Sequence, residues 1–388
     1  MLSRLSEVSG QAMPLMPVVK ADAYGHGACL IARALEESFS VERLPCFCVA
    51  RWAEAVELRE AGITRPVLVL SQYCAEEMRA TPLSGVSLLV ASPQDVKVLE
   101  DIGPRGREAL RGVHLHFNTG MRRLGFSSDI APKDAFELFS KIAALGLKVE
   151  ALSTHLARAE EDPSVFTQTQ RQRFEGALRT CESVWESSWG PFPRWIHAAN
   201  SAGLLRDLGP RMTAARPGLF LWGVHQDLEA RARLTREFPG LKLRPVLGLR
   251  CAVRDATWVE KGEGVSYGHR WVAPSRRLVG VLNFGYADGL SRSLSRSEGD
   301  PVPLSFWIEG HPVPILGTVT MDMVMVDLTE HPRRDEIPLR IRAAGETVWA
   351  EWIGDLQPVE KHASALGTIS YEVLCDLSRR VKREARNA

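Results

Sequence analysis

Five short stretches carry side chains that could do chemistry together. Lys20 ends the apolar run "LMPVVK", Arg123 lies in "NTGMRRLG", and His155 falls in "LSTHLA"; Asn200 and Ser201 sit in "IHAANSAG", and Arg216 in "AARPG". Singly, each has an ordinary reading: a lysine at a strand tip is normally solvated, since lysine is almost never fully buried. Together they supply a primary amine, an imidazole, two guanidiniums and a hydroxyl at a predicted helix start, a set that suits an anionic, electrophilic ligand. "VVKADAYGHG" adds a tyrosine, a histidine and two glycines directly after Lys20, residues that let a backbone approach something closely. Two other polar pairs are weaker signals. Cys46 and Cys48, and likewise His114 and His116, are spaced to share one face of a strand. Either pair could hold a metal, but neither has an obvious third ligand, so both read as core residues and no metal site is expected.

The elements that must position the first set follow from periodicity. Eight apolar runs, "LMPVV", "CFCVA", "PVLVL", "VSLLV", "GVHLHF", "VEALST", "RWIHAA" and "MTAARPGLFLW", alternate with helical patterns such as "ACLIARALEES" and "KDAFELFSKIAALG". That alternation predicts an α/β fold with a parallel sheet, and eight strands favour a closed (β/α)8 TIM-like barrel over residues 1–235. No G-x-G-x-x-G follows the first strand, which weakens a dinucleotide-binding alternative. In such a barrel, chemistry sits at the C-terminal ends of the strands. Lys20 ends the first strand, Arg123 follows the fifth, His155 ends the sixth, Asn200 and Ser201 follow the seventh, and Arg216 lies beside the eighth. All fall on one predicted rim. Residues 236–388 read as a separate, predominantly β domain, closed by a basic helix over "GTISYEVLCDLSRRVKREARNA".

Bulk properties narrow the partner. A net charge of +1 over 388 residues gives no electrostatic case for nucleic acid or an anionic membrane. No stretch approaches the ~18 apolar residues of a spanning helix. An odd count of seven cysteines and a start without an apolar h-region make the cytosol the expected compartment. A small molecule remains, and the cofactor that needs a lysine amine is pyridoxal 5'-phosphate, held as a Schiff base with its phosphate on backbone N–H groups near Ser201 and Gly218.

At this point the chain resembles the alanine racemases. "VVKADAYGHG" is similar to their cofactor-lysine motif, and "NTGMRRLGF", "STHLA", "HAANSAG", "ARPGLFLWG", "GEGVSYGHRW", "FGYADGLSR", "GTVTMDMVMVDL" and "GTISYEVLC" follow in family order. The resemblance implies a barrel followed by a β domain, and a pyridoxal-phosphate enzyme that interconverts L- and D-alanine with two bases. Lys20 would bind the cofactor and serve one face. Tyr267, from the partner subunit of a homodimer with shared sites, would serve the other. Tyr24, Asn200, Ser201, Gly218 and Tyr371 would hold the phosphate end, His155 would lie against the ring, and Arg216, supported by His197, would face the pyridine nitrogen. Arg123, Met321 and Tyr286 would contact substrate, with His116 and Asp322 in support and Asp288 in the entry corridor. Tyr267, a poor base at an ordinary pKa near ~10, would need cations or hydrogen bonds from His155 and Arg216.

Three departures matter. His116 stands where many relatives carry a carbamylated lysine that anchors the arginine equivalent to Arg123, and Asn118 stands for a frequent aspartate. Either neutral His116 accepts from Arg123, or another anion fills the gap. Thr318, Met323 and Glu160 alter the expected entrance, which leaves a racemase of altered or broader specificity, for serine or basic amino acids, as an alternative. The N-terminus looks short of the family's first strand. A basic-amino-acid decarboxylase would share the lysine and histidine but would usually place an acid, not Arg216, at the pyridine nitrogen. A pyridoxal-phosphate carrier would lack the β domain with Tyr267 and Met321.

Overall fold

The structure, a computed structural model, describes residues 13–161, 165–240, 242–343 and 346–386. The short N-terminus noted above falls in residues 1–12 and so lies outside the described residues. The chain forms two compact units, Met1–Leu221 and Trp222–Ala388. The Leu228–Glu237 helix thus belongs to the second unit, whereas the boundary drawn from sequence fell within it.

In the first unit the strands Phe47–Arg51, Val67–Gln72, Val86–Val90, Leu110–Asn118, Val149–Ser153 and Trp195–His197 pair in that order, all parallel. Two shorter extended segments close the ring. Val18 pairs with Cys48, Leu15 with Ala215, and Ala214 with His197. With these segments the parallel ring has the eight members expected of a (β/α)8 barrel. The closing segments contain Pro14, Pro17 and Pro217, which have no N–H to donate to a ladder. They pair through their carbonyls instead: Cys48 N–H donates to Pro17 (2.8 Å), Val18 N–H to Pro217 (2.9 Å) and Ala215 N–H to Pro14 (3.1 Å). Pairing there is shorter for that reason.

Outer helices form where apolar positions recur at helical spacing. Over Trp52–Glu60 the buried face is Trp52, Ala55 and Leu58, and Gly62 at φ +80° stops the helix, its N–H donating to Arg59 O at 3.0 Å. Along the Leu110–Asn118 strand, Val113, Leu115 and Phe117 alternate with His114 and His116, so the period of two sends both histidines to the opposite face.

The second unit is built on a closed antiparallel barrel of Leu249–Val259, Arg277–Leu282, Val324–Asp327, His311–Leu316, Ser305–Ile308 and Trp349–Ile353. Its core includes Leu278, Phe306, Ile308, Val313, Val324 and Val326, and the Phe306 ring packs on Trp352 with centroids 4.4 Å apart. The expected long C-terminal helix is corrected. Among the described residues of that stretch, only Ser370–Cys375 is helical. Beyond it the Ser378 N–H donates to Asp288 O (3.1 Å), and the Arg383 guanidinium takes the carbonyls of Leu377 and Val381. Those groups are then unavailable to continue a helical ladder.

Candidate active site

Lys20 does not simply end a strand. It opens a left-handed turn in which Ala21 (φ 52°, ψ 51°), Asp22 (55°, 43°) and Ala23 (53°, 48°) are followed by Tyr24 at φ 53°. L-residues avoid this region at a cost of roughly 1–2 kcal/mol each, so neighbours must hold the turn. The Ala21 N–H donates to Glu54 Oε1 at 2.7 Å, and Asp22 Oδ1 accepts from Ala28 N–H at 2.8 Å. Gly25 N–H donates to Ala21 O (3.0 Å) and Gly27 N–H to Asp22 O (2.8 Å). Glu54 sits at the third position of the Trp52–Glu60 helix, where it also accepts from Ala50 and Arg51 N–H groups. One carboxylate therefore caps a helix and pins the peptide after Lys20.

The turn carries Tyr24 to Gly218. A Cβ added at Gly218 would lie 2.5 Å from Tyr24 Oη, so only glycine fits beside that hydroxyl. The Gly218 and Phe220 N–H groups both donate to Ser201 Oγ, at 3.0 and 3.3 Å. Backbone donors converging on one oxygen, with a tyrosine hydroxyl alongside, match what phosphate oxygens need. Asn200 is spent on shape: its Oδ1 accepts from Gly203 N–H at 2.9 Å and fixes the turn after Ser201.

Arg216 is buried. Its Nη1 donates to His197 O (3.0 Å) and to His197 Nδ1, and its Nη2 to Thr154 O (2.7 Å), with His155 Nδ1 at 3.4 Å. No carboxylate pairs with it among the described residues. Burial lowers its pKa to about 10, which still leaves the guanidinium charged at neutral pH. His155 is held well below the ordinary histidine range, by burial first and then by Arg216 and Arg123, with Lys20 contributing. His155 is therefore neutral, and of the cations or hydrogen bonds expected from the pair for Tyr267, it has only a hydrogen bond to offer.

His116 is buried and its pKa is lowered to about 3, chiefly by burial and then by Arg216 and Arg123. The Ser153 hydroxyl gives its one hydrogen to Leu115 O (3.2 Å), so it must accept from His116 Nδ1–H at 3.0 Å. That leaves His116 Nε2 as a bare acceptor. Arg123 is exposed and has no hydrogen-bond or ion-pair partner among the described residues. Asn118 builds the loop instead of supplying charge, its Oδ1 accepting from Gly120 and Arg122 N–H groups at 3.0 Å. Glu160 is half-buried in the same unit.

The second unit assembles the remaining residues. Tyr267, 76% exposed, tips the Gly264–Val265/Trp271–Val272 hairpin. Thr318 donates to Tyr267 O (2.9 Å), and Ser266 donates to Thr318 O (2.7 Å), tying that tip to the segment bearing Met321. Tyr286 and Ala287 N–H groups bond Thr320 and Met321 carbonyls, both at 3.0 Å. Tyr267, Tyr286, Met321 and Met323 are thus joined by hydrogen-bonded loops and all are exposed. Asp322 and Asp288 share Arg380, at 2.7 and 3.4 Å. Tyr371 is half-buried on the Ser370–Cys375 helix. The sequence reading missed Glu54 and the Thr154 carbonyl. Glu54 was detectable only as an acid at a helix N3 position.

The alanine racemase N-terminal domain profile matches residues 2–226 and the C-terminal domain profile residues 246–385. An alanine racemase from Geobacter sulfurreducens is 35% identical over 95% of this chain and 89% of its own length. One from Aquifex pyrophilus is 32% identical over 95% and 90%. Among solved structures, alanine racemase from Clostridium difficile 630 superimposes with a TM-score of 0.79 at 27% identity, covering 98% of this chain and 90% of that one. A Bacillus anthracis alanine racemase with bound L-Ala-P gives 0.77 at 26%, covering 98% and 91%. No described helix is long and apolar enough to cross a membrane. The chain belongs to the alanine racemase family and is an amino-acid racemase.

Proposed function

We propose that the protein interconverts L- and D-alanine with pyridoxal 5'-phosphate, using Lys20 on one face of the substrate and Tyr267 of the partner subunit on the other. The observation that carries this reading is the grouping in the first unit of Lys20, the Tyr24–Ser201–Gly218 cup and a buried Arg216 with no carboxylate partner among the described residues. When bound, the cofactor supplies an electron sink that makes the substrate α-hydrogen acidic. The rest belongs to this chain. Gly218 and Phe220 N–H groups, Ser201 and Tyr24 would bind the phosphate end. Arg216 can only donate and keeps its charge, so a pyridine nitrogen held beside it would stay unprotonated. That disfavours full delocalisation into the ring and the side reactions that follow from it, and it is the opposite of what a decarboxylase arranges.

Inversion needs a proton removed from one face and another returned to the other. Lys20 Nζ and Tyr267 Oη hold those protons. The exposure of Tyr267 with Tyr286, Met321 and Met323 supports a homodimer that covers them. His116 and the entrance residues Thr318, Met323 and Glu160 motivate altered specificity, and relatives matching nearly the whole chain favour alanine over that alternative. The test is incubation of L-alanine with protein and pyridoxal phosphate in D2O, scoring deuterium and chirality. Exchange with inversion is expected, as is loss of turnover on dilution that dissociates the dimer. Absence of exchange, or full turnover by the monomer, overturns the reading.

A further inference from the structure

Behind Arg216 the barrel interior holds a line of polar side chains with no place in the chemistry above. His197 Nδ1 faces the Arg216 guanidinium, and His197 Nε2 lies 3.0 Å from His114 Nδ1, the rings 5.1 Å apart between centroids. His114 Nε2 then faces Glu150 Oε2 at 4.0 Å. Glu150 is itself fixed, by Ser87 Oγ at 2.5 Å and Arg111 Nε at 2.7 Å. A Cβ at Gly112 would lie 2.8 Å from the Glu150 Cγ, so a glycine makes the space this carboxylate fills. His197 and His114 are 0% and 3% exposed, so bulk solvent does not reach their ring nitrogens.

The direction of every hydrogen in this line is forced. A guanidinium has donors only, so His197 Nδ1 must be the acceptor and the proton of the neutral ring sits on Nε2. That N–H donates to His114 Nδ1, which must then be bare. The His114 proton is left on Nε2, aimed at the carboxylate. We propose that His114, and behind it Glu150, are positioning residues that lock His197 in its Nε2–H tautomer and through it hold Arg216 in place. Burial, followed by Arg216 and Arg111, lowers the His114 pKa to about 3, consistent with a neutral ring in the line. The benefit to the reaction rests on the function proposed above, but the tautomers do not.

The experiment is 15N NMR of histidine-labelled protein, read first without cofactor. Proton couplings are expected to place hydrogen on Nε2 of both His114 and His197. An Nδ1–H tautomer or a doubly protonated ring at either position overturns the proposal, and this measurement needs no variant to fold. His114→Phe then removes the acceptor, whereas His114→Gln keeps one in its amide oxygen. His114→Phe is expected to shift the His197 tautomer and lower kcat about tenfold with KM for alanine changed less than about twofold, and His114→Gln to recover most of the loss. His197 remaining Nε2–H in His114→Phe with unchanged kcat means the line is packing only, and the proposal fails. Correct tautomers in a protein that does not exchange the alanine α-hydrogen would sink the racemase reading and leave the tautomer lock intact.

Discussion

Glu54→Gln isolates the turn that aims Lys20. Four consecutive residues, Ala21 to Tyr24, have φ between 52° and 55°, and at about 1–2 kcal/mol apiece the turn stores about 4–8 kcal/mol. The Glu54 carboxylate accepts three backbone N–H groups, from Ala21 (2.7 Å), Ala50 (2.7 Å) and Arg51 (3.0 Å). Bonds to a charged acceptor contribute about 1.5–3 kcal/mol each, and the exposure of Ala21 and Arg51 puts these near the lower end. Together they contribute about 4.5 kcal/mol, comparable to the low end of the stored strain. Glutamine has one oxygen for three donors, and its amide NH2 would face an N–H, so at least one bond is lost, a cost of about 1.5–3 kcal/mol.

Because the lost bond is local, the readout should be local. Amide exchange in a peptide spanning 18–28 should accelerate by about tenfold or more, and the off-rate of pyridoxal phosphate should rise with it. Glu60→Gln, an exposed acid on the same helix, should change neither. Ala21→Gly in the Glu54→Gln background should recover part of the protection, since glycine has no Cβ penalty at positive φ. Exchange within about twofold of the parent protein would refute the reasoning. It would mean that Asp22 and the glycine N–H bonds hold the turn unaided.

Other consequences are equally measurable. Gly218→Ala forces a methyl to 2.5 Å from Tyr24 Oη, so equilibrium dialysis should show affinity for pyridoxal phosphate weakened by about tenfold or more. His114 and His116 both have folded pKa values of about 3 against 6.5 unfolded. Above pH 6.5 neither state is charged; as pH falls towards 3 the unfolded chain takes protons that the native rings refuse. Stability is therefore lost on acidification, by about 2 kcal/mol per histidine at pH 5, and denaturant titrations of His116→Gln at pH 7.5 and 5 should show a correspondingly smaller drop. His116→Lys replaces a bare acceptor with an amine near Arg123 and Arg216, and a changed KM for alanine is expected; unchanged kinetics would mean His116 does not support Arg123.

The barrel was legible because its signals are additive. Eight apolar runs survive the loss of any one, and the rim positions follow from topology once the count is known. The left-handed turn was not legible: Ala-Asp-Ala-Tyr contains no glycine, and its conformation is imposed by Glu54 and Ala28, which are distant along the chain or outside the motif. The pairing of His114 and His116 on one face was read correctly as a shared strand side, but their different partners, His197 and Ser153, come from strands that sequence spacing cannot align. The C-terminal helix failed for a related reason. Its composition favours a helix, yet Arg383 and Asp288 compete for the backbone groups that would extend it.

The polar interior of the first unit has a common logic. Such rings are ordinarily filled with branched aliphatic side chains, whereas this one buries Ser87, His114, His116, Ser153, His197 and Arg216. A buried guanidinium must have its donors met, and the cheapest partner would be a carboxylate in direct contact. That pairing would cancel the charge Arg216 is placed to present. Two neutral imidazoles and two carbonyls satisfy its hydrogen bonds without neutralising it, and the nearest carboxylate in the line, Glu150, is kept two side chains away. The spacing separates two requirements that a direct ion pair would merge, holding the guanidinium still and leaving its charge for the ligand.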